Sequence, residues 1–278
     1  MYREVDQYQV SEIGTLATKI QAPVVAGSFY SDNPEELRSS VREYISAANQ
    51  LLPHTPKALI APHAGYIYSG PVAGTAYAQL SEAADTISRV VLLAPSHRVA
   101  FRGIALSSAD VFRTPLGDVK VDSDAVSLIR DIPNVQVMDQ AFSQEHSLEV
   151  HLPFLQVALS NFQLVPLVIG DIDPASVAEV LETVWGGDET LIVVSSDLSH
   201  YLDYESAKAT DSATSKAIEQ LQPGRISHQQ ACGGTPVKGL IQIALHKRLE
   251  AITLDMRNSG DTAGPKDRVV GYGAYAFS

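Results

Sequence analysis

The chain of 278 residues contains a single cysteine, Cys232, and a single tryptophan. One thiol excludes an intramolecular disulfide and any zinc site built from four cysteines, leaving a cysteine that can only act alone. Basic residues are scarce beside acidic ones, 20 Lys and Arg against 32 Asp and Glu, giving a formal net charge of -12. Nucleic-acid partners call for a basic surface that displaces counterions, so none is expected. Also missing are an apolar run near the roughly 20 residues of a membrane helix and a basic segment leading into an apolar signal core. A cytoplasmic location away from membranes is the resulting expectation. With no linker, internal repeat or low-complexity tract, the chain is expected to form one domain over 23–278, preceded by an N-terminal extension over 1–22.

What is present suits a large core: 45% hydrophobic residues, 19% charged, and a mean hydropathy of +0.02. Three short apolar runs, at 58–61, 90–94 and 191–194, end abruptly in APHAG, PSH and SSDLSH. Continuous apolar runs bounded by Pro, Gly or Ser read as strands buried on both faces. Each delivers a histidine just past its end: His63, His97 and His200. Ligands gather outside the carboxyl ends of strands in open parallel sheets, so these distant residues are expected to share one site.

Between the runs, Asn33 as N-cap, Pro34 at the first helical position and Glu36 as capping-box partner mark a helix with Leu37, Val41, Tyr44 and Ile45 on its apolar face. Gly65, Gly70 and Gly74 permit a tight turn into a helix reaching about Leu80, closely packed on its strand. The alternation over 103–121 and the turn at 114–117 suggest a hairpin, which makes the sheet mixed. Residues 143–159 show a helical face in Leu148, Leu152, Leu155 and Leu159, with Pro153 bending the helix or starting a new one. The stretch at 206–221, the helix opening at Thr235 and Pro236, and strands near 251–255 and 268–277 complete the pattern.

His63 and His97 are the leading metal-ligand candidates, since neutral imidazole suits iron, zinc and copper. Cys232 precedes a helix N-terminus, which favours a thiolate, although a free cysteine is equally at home as a small buried hydrophobe. A third use is as a nucleophile with a histidine base. Asp197 either orients or ligates, with helix capping as its ordinary role, while His200 suits proton transfer. His146 and Glu149 are three apart and would share a helix face, with His151 further round. Their spacing is not that of the His-Glu-x-x-His zinc motif, and all three are expected to form a supporting layer that holds ligands by hydrogen bonds, with a plain buried polar network as the close alternative.

Taken together, APHAGYIYSG, APSHR, ALSSADVFRTPLGD, EHSLEVHLPF, VSSDLSHY and ACGGTPV resemble the Memo family, over about residue 26 to the C-terminus. The resemblance implies a single α/β/α sandwich with a mixed, largely parallel sheet, like the class III extradiol dioxygenases of the LigB type. It also implies a metal site at His63, His97 and Cys232, with His200 in the place of the catalytic histidine and Asp197 beside it. A single iron ion is the expected cofactor, with copper or zinc as alternatives. The dioxygenases use a carboxylate where this chain has Cys232, and a thiolate is a softer, stronger donor that argues against ring cleavage. Three functions follow: a mononuclear iron or copper redox enzyme on a small substrate, a non-catalytic module binding a peptide or partner in the same pocket, or a zinc-dependent hydrolase. Oligomeric state is left open.

Overall fold

The computed structural model describes residues 17–278. In chain order the elements are β1 (Ile20–Gln21), α1 (Pro34–Ser46), β2 (Ala58–Ala61), α2 (Tyr66–Ala78), β3 (Arg89–Pro95), β4 (Ile104–Leu106), β5 (Val111–Thr114), β6 (Gly117–Lys120), α3 (Ser123–Ile129) and β7 (Val135–Val137). They continue with α4 (Leu152–Ala158), β8 (Gln163–Ile169), α5 (Pro174–Thr183), β9 (Thr190–Ser195), β10 (His200–Leu202), α6 (Tyr204–Glu219), α7 (Gly234–Lys247), β11 (Ala251–Asn258) and β12 (Val269–Phe277).

The main sheet runs β10-β12-β2-β9-β3-β8-β4-β7, with β11 also paired to β12. Its centre is parallel: β2 with β9, β9 with β3, and β3 with β8. Antiparallel pairs flank that centre, β12 with β2 on one side and β4 with β8 on the other. The fold is therefore the expected α/β architecture with a mixed sheet.

Side chains alternate across a strand, so β2 sends Leu59 and Ala61 into one core and Ala58 and Ile60 into the other. The first core is closed by α1, α2 and α4, through Leu37, Val72 and Phe154. The second is closed by α3, α5, α6 and α7, through Ile129, Val180, Ile218 and Leu240. Each fully buried aliphatic side chain contributes about 1.5–3 kcal/mol relative to exposure. Two helical layers thus fix the strands, and the strands fix whatever follows their ends.

Local details depart from the sequence expectation in instructive ways. Asn33 Oδ1 caps α1 by accepting from the Glu35 and Glu36 N–H groups, but Glu36 accepts from the Ser31 hydroxyl and does not close a capping box. The close approach permitted by Gly74 is to α1 and not to a strand: a Cβ there would lie 2.5 Å from the Tyr44 carbonyl oxygen. The 103–121 region divides, with β4 joining the main sheet and β5–β6 forming a hairpin that pairs with β1 in a small separate sheet. Of the extension over 1–22, residues 1–16 lie outside the described residues, and Ile20–Gln21 form β1. Residues 143–159 are not one helix. A turn leads into a single 3-10 turn at Glu149–His151, and α4 starts with Pro153 near its N-terminus, where the missing N–H costs nothing.

Candidate metal centre

Residues following β2, β3 and β9 meet at the carboxyl edge of the sheet, joined by the loop over 145–147 and by Cys232 ahead of α7. His63 is 2% exposed and held at two points. Its N–H donates to Asp197 Oδ1 at 2.7 Å, and its Nδ1 lies 2.6 Å from Ser195 Oγ. The Ser195 hydroxyl proton goes to the Ser147 carbonyl at 2.6 Å. Ser195 Oγ must then accept from His63, which places the imidazole proton on Nδ1 and leaves the Nε2 lone pair facing the site.

His97 is set by the same logic with a carboxylate. Glu145 accepts the His97 N–H at 2.5 Å and faces its Nδ1 at 2.9 Å, so Nδ1 carries the proton and Nε2 is free. Burial by itself would raise the Glu145 pKa, but these bonds and one from the Ser147 N–H outweigh it and bring it down to about 2. A carboxylate behind an imidazole raises its basicity as a ligand and fixes its ring.

His146 completes the cluster. Its ring stacks on His97 with centroids 5.0 Å apart, lies 5.5 Å from His63, and is backed by Phe29 at 4.8 Å. One ring nitrogen from each of His63, His97 and His146 lies within 4.8 Å of the others. Among the described residues the buried Nδ1 of His146 makes no hydrogen bond, with Glu145 Oε1 3.4 Å away. Burial lowers the pKa of both His63 and His146, so both stay neutral electron-pair donors.

Cys232 Sγ lies 3.3 Å from His63 Nε2 and accepts the Asp197 N–H at 3.3 Å. Burial, then the charge of Asp197, pushes its pKa up to about 12, so the surroundings oppose the thiolate that a nearby helix N-terminus was expected to favour. Gly233 allows this placement, because a Cβ there would meet the Ser195 carbonyl oxygen at 2.4 Å. Asp197 is itself buried, and burial raises its pKa while the His63 N–H opposes the rise.

His200 stands apart from the ring cluster. Its Nδ1–H donates to the Leu198 carbonyl at 2.9 Å, leaving Nε2 toward a cavity of about 1000 Å³ whose walls include His97, Cys232, Tyr201, Leu202 and Gln229. The Ser199 N–H donates to Asp211 Oδ1 at 2.9 Å, while Leu198 and Ser199 exchange backbone bonds with Gly271.

Of the residues named from sequence, the structure brings His63, His97, Cys232 and Asp197 together and sets His200 on the wall of the cavity that His97 and Cys232 also line. His146, expected in a supporting layer on a helix face shared with Glu149, instead sits in a loop with its ring among the donors. Glu149 points elsewhere, accepting from the Val24 and Val25 N–H groups and the Tyr30 hydroxyl at 2.6, 3.0 and 2.5 Å. His151 lies fully buried against Tyr77. Glu145, Ser147 and Ser195, and not Glu149 or His151, supply the hydrogen bonds that hold the His63 and His97 rings. The acidic Glu145 in front of a buried apolar stretch was the available signal.

Fold and site together describe an α/β sandwich with a histidine-rich centre outside the carboxyl ends of parallel strands. Within that class the chain belongs to the Memo family, matching the Memo-like protein family over residues 21–276. It is 33% identical over 265 residues to a MEMO1 family protein of Aquifex aeolicus, covering 91% of this chain and 97% of that one. It is 35% identical over 271 residues to a MEMO1 family protein of Archaeoglobus fulgidus, covering 92% and 98%. Among solved structures, an uncharacterized protein from Escherichia coli K12 aligns at a TM-score of 0.49 with 14% identity, covering 79% of this chain and 99% of that one.

Proposed function

We propose that this protein is a metal-dependent redox enzyme in which one transition-metal ion, iron before copper or zinc, is held by His63, His97 and Cys232, with His146 within reach as a further donor. The observation that carries this reading is the set of nitrogens of His63, His97 and His146 within 4.8 Å of one another, with the opposite nitrogens of His63 and His97 tied to Ser195 and Glu145 and Cys232 Sγ 3.3 Å from His63 Nε2. Imidazoles oriented in this way are what a borderline metal ion selects.

Bound iron would supply one-electron chemistry at this edge of the sheet. The remaining roles belong to the chain itself. The cavity admits a small substrate beside Cys232, and Tyr201 and Leu202 cover its apolar part. His200 Nε2 faces that space and exchanges a proton with the substrate, while its Nδ1–H stays on the Leu198 carbonyl. Asp197 orients His63 through its main-chain N–H.

The test is metal content after purification without oxygen. Wild type is expected to retain iron, and nitric oxide should give an Fe-nitrosyl EPR signal that is lost in His63→Ala and altered in Cys232→Ser. Full metal retention in both variants would overturn the reading. A preparation that takes up only zinc and is inert to oxygen would favour metal-assisted hydrolysis instead. A second reading, peptide or partner binding in the same cavity, is supported by Tyr201 at 63% and Leu202 at 36% exposure on its rim. Partner capture unaffected by chelation and by Cys232→Ser would favour it.

A further inference from the structure

Behind His63, on the face of the sheet covered by α1, α2 and α4, lies a group of buried phenols that the proposed chemistry does not use. Tyr77 is 0% exposed and His151 1% exposed, and the Tyr77 hydroxyl is 2.8 Å from His151 Nδ1. Among the described residues that hydroxyl has no other partner; in the tautomer that carries its proton on Nε2, the phenol donates to Nδ1, and Nε2 is buried without a hydrogen bond. The pair is thus a phenol with a single base attached, sealed from water.

The aromatic rings continue from there. Tyr77 stacks on Phe154 with centroids 5.2 Å apart, Phe154 lies 4.9 Å from Tyr66, and Tyr66 lies 5.4 Å from Tyr30 and 6.4 Å from Tyr44. At the far end the Tyr30 hydroxyl donates to Glu149 Oε1 at 2.5 Å. Both ends of this aromatic path therefore carry a phenol bonded to a base. Burial, and then the nearby His63, bring the His151 pKa down to about 3, so His151 is neutral and free to accept a proton at Nδ1.

We propose that the Tyr77–His151 pair is a one-electron relay for the metal centre, with Phe154, Tyr66 and Tyr30 as its continuation. This inference rests on the proposed redox reading for its oxidant, a one-electron-oxidised transition-metal ion held at His63 and His97. One electron passes from the Tyr77 phenol to that ion, which is reduced by one unit. The phenol O–H bond breaks, and its proton moves along the existing hydrogen bond to His151 Nδ1. The products are a neutral phenoxyl radical, an imidazolium and the reduced ion, so atoms and charge balance.

The physical case lies in the surroundings. A radical cation left in a dry interior is costly, and transfer of its proton within a preformed hydrogen bond avoids that state. Negative charge arriving at the metal compensates the positive charge arriving at His151, so the net charge of the buried region is unchanged. The neighbouring rings are near enough to share the unpaired electron onward, and Glu149 is placed to take the proton of Tyr30.

A metal-independent experiment separates this claim from the metal reading. Ultraviolet flash photolysis of the metal-free protein ejects electrons that dissolved oxygen traps, and the tyrosyl absorption is then followed in time. The long-lived part of the signal is expected to be lost in Tyr77→Phe, which keeps the ring and its contacts, and also in His151→Leu. It is expected to persist in Tyr204→Phe. Persistence in Tyr77→Phe or in His151→Leu would overturn the relay. In a second arm, iron-loaded protein is treated with hydrogen peroxide and frozen, and a tyrosyl EPR signal dependent on Tyr77 is expected. A Tyr77-dependent signal under photolysis, with no iron taken up, would overturn the metal reading and with it the relay's oxidant, leaving only a Tyr77–His151 pair able to hold a radical.

Discussion

The same central strands end in two different ways. At their amino edge, polar groups find each other. Lys57 Nζ donates to the carbonyls of Gly187 and Thr190, both at 2.7 Å, and lies over the Trp185 ring, while Arg89 pairs with Asp122 at 2.7 Å. At the carboxyl edge the groups cluster without closing on each other: ring nitrogens of His63, His97 and His146 lie within 4.8 Å of one another, and among the described residues the buried His146 Nδ1 makes no hydrogen bond. One edge is knit together by its own side chains, and the other leaves electron-pair donors gathered and uncommitted.

Substitutions at the two edges test this contrast. The largest effect is expected from His63→Ala, which removes the donor adjoining Cys232, Asp197 and Ser195; bound iron, measured by elemental analysis, should fall to background. Next comes Glu145→Ala, which releases the His97 ring without removing a donor. Loss of a carboxylate behind a ligating histidine typically weakens metal binding by about 10–100-fold, and a competitive chelator titration would show it. Unchanged affinity there would mean that Glu145 only shapes the loop.

Gly233→Ala should act on both properties, since its Cβ would press on the Ser195 carbonyl beneath the site. Overpacking of this kind costs about 1–3 kcal/mol, and urea denaturation should show it together with weaker metal binding. Lys57→Met, at the opposite edge, should cost about 1 kcal/mol from lost hydrogen bonds and leave iron content at the wild-type level. Any loss of metal in that variant would break the division between the edges.

The amino edge also makes a pH prediction. Burial lowers the Lys57 pKa from 10.5 to about 8, against the raising effect of Glu189 and Asp188. Between those values the unfolded chain holds the proton more than the folded one, so stability should rise with pH across that window. Lys57→Met should flatten this rise, as followed by denaturation midpoints at a series of pH values.

Much of this was legible in the chain itself. Val90–Ala94 and Leu191–Val194 are apolar, with Pro or Ser immediately after, and period and punctuation locate such strands without tertiary knowledge. Their histidines follow directly, which is why His63, His97 and His200 could be placed. His146 could not be placed in the same way. Its spacing to Glu149 fits a helix, but Glu145 captures the Ser147 N–H and the His97 main chain instead, and the segment turns where periodicity predicts a helix face. The partition of 103–121 between two sheets was hidden for a similar reason, since β4 pairs with β8 and β5 with β1 far along the chain. Tautomers set by Ser195 and Glu145 depend on contacts across 132 and 48 residues, which no local pattern reports.

The Glu149 carboxylate, gripping Val24, Val25 and Tyr30, sits three positions after His146 in the same loop. Phe29, between those gripped positions, lies against the His146 ring. The segment over 24–30 therefore braces the loop that carries His146 from outside, and it does so as part of the first core, since Tyr30 lies in that core and Val25, Ala26 and Phe29 pack against it. Trimming the chain past residue 23 would release Glu149 and loosen that core together, so the position of the His146 ring and the melting temperature should shift in the same variant.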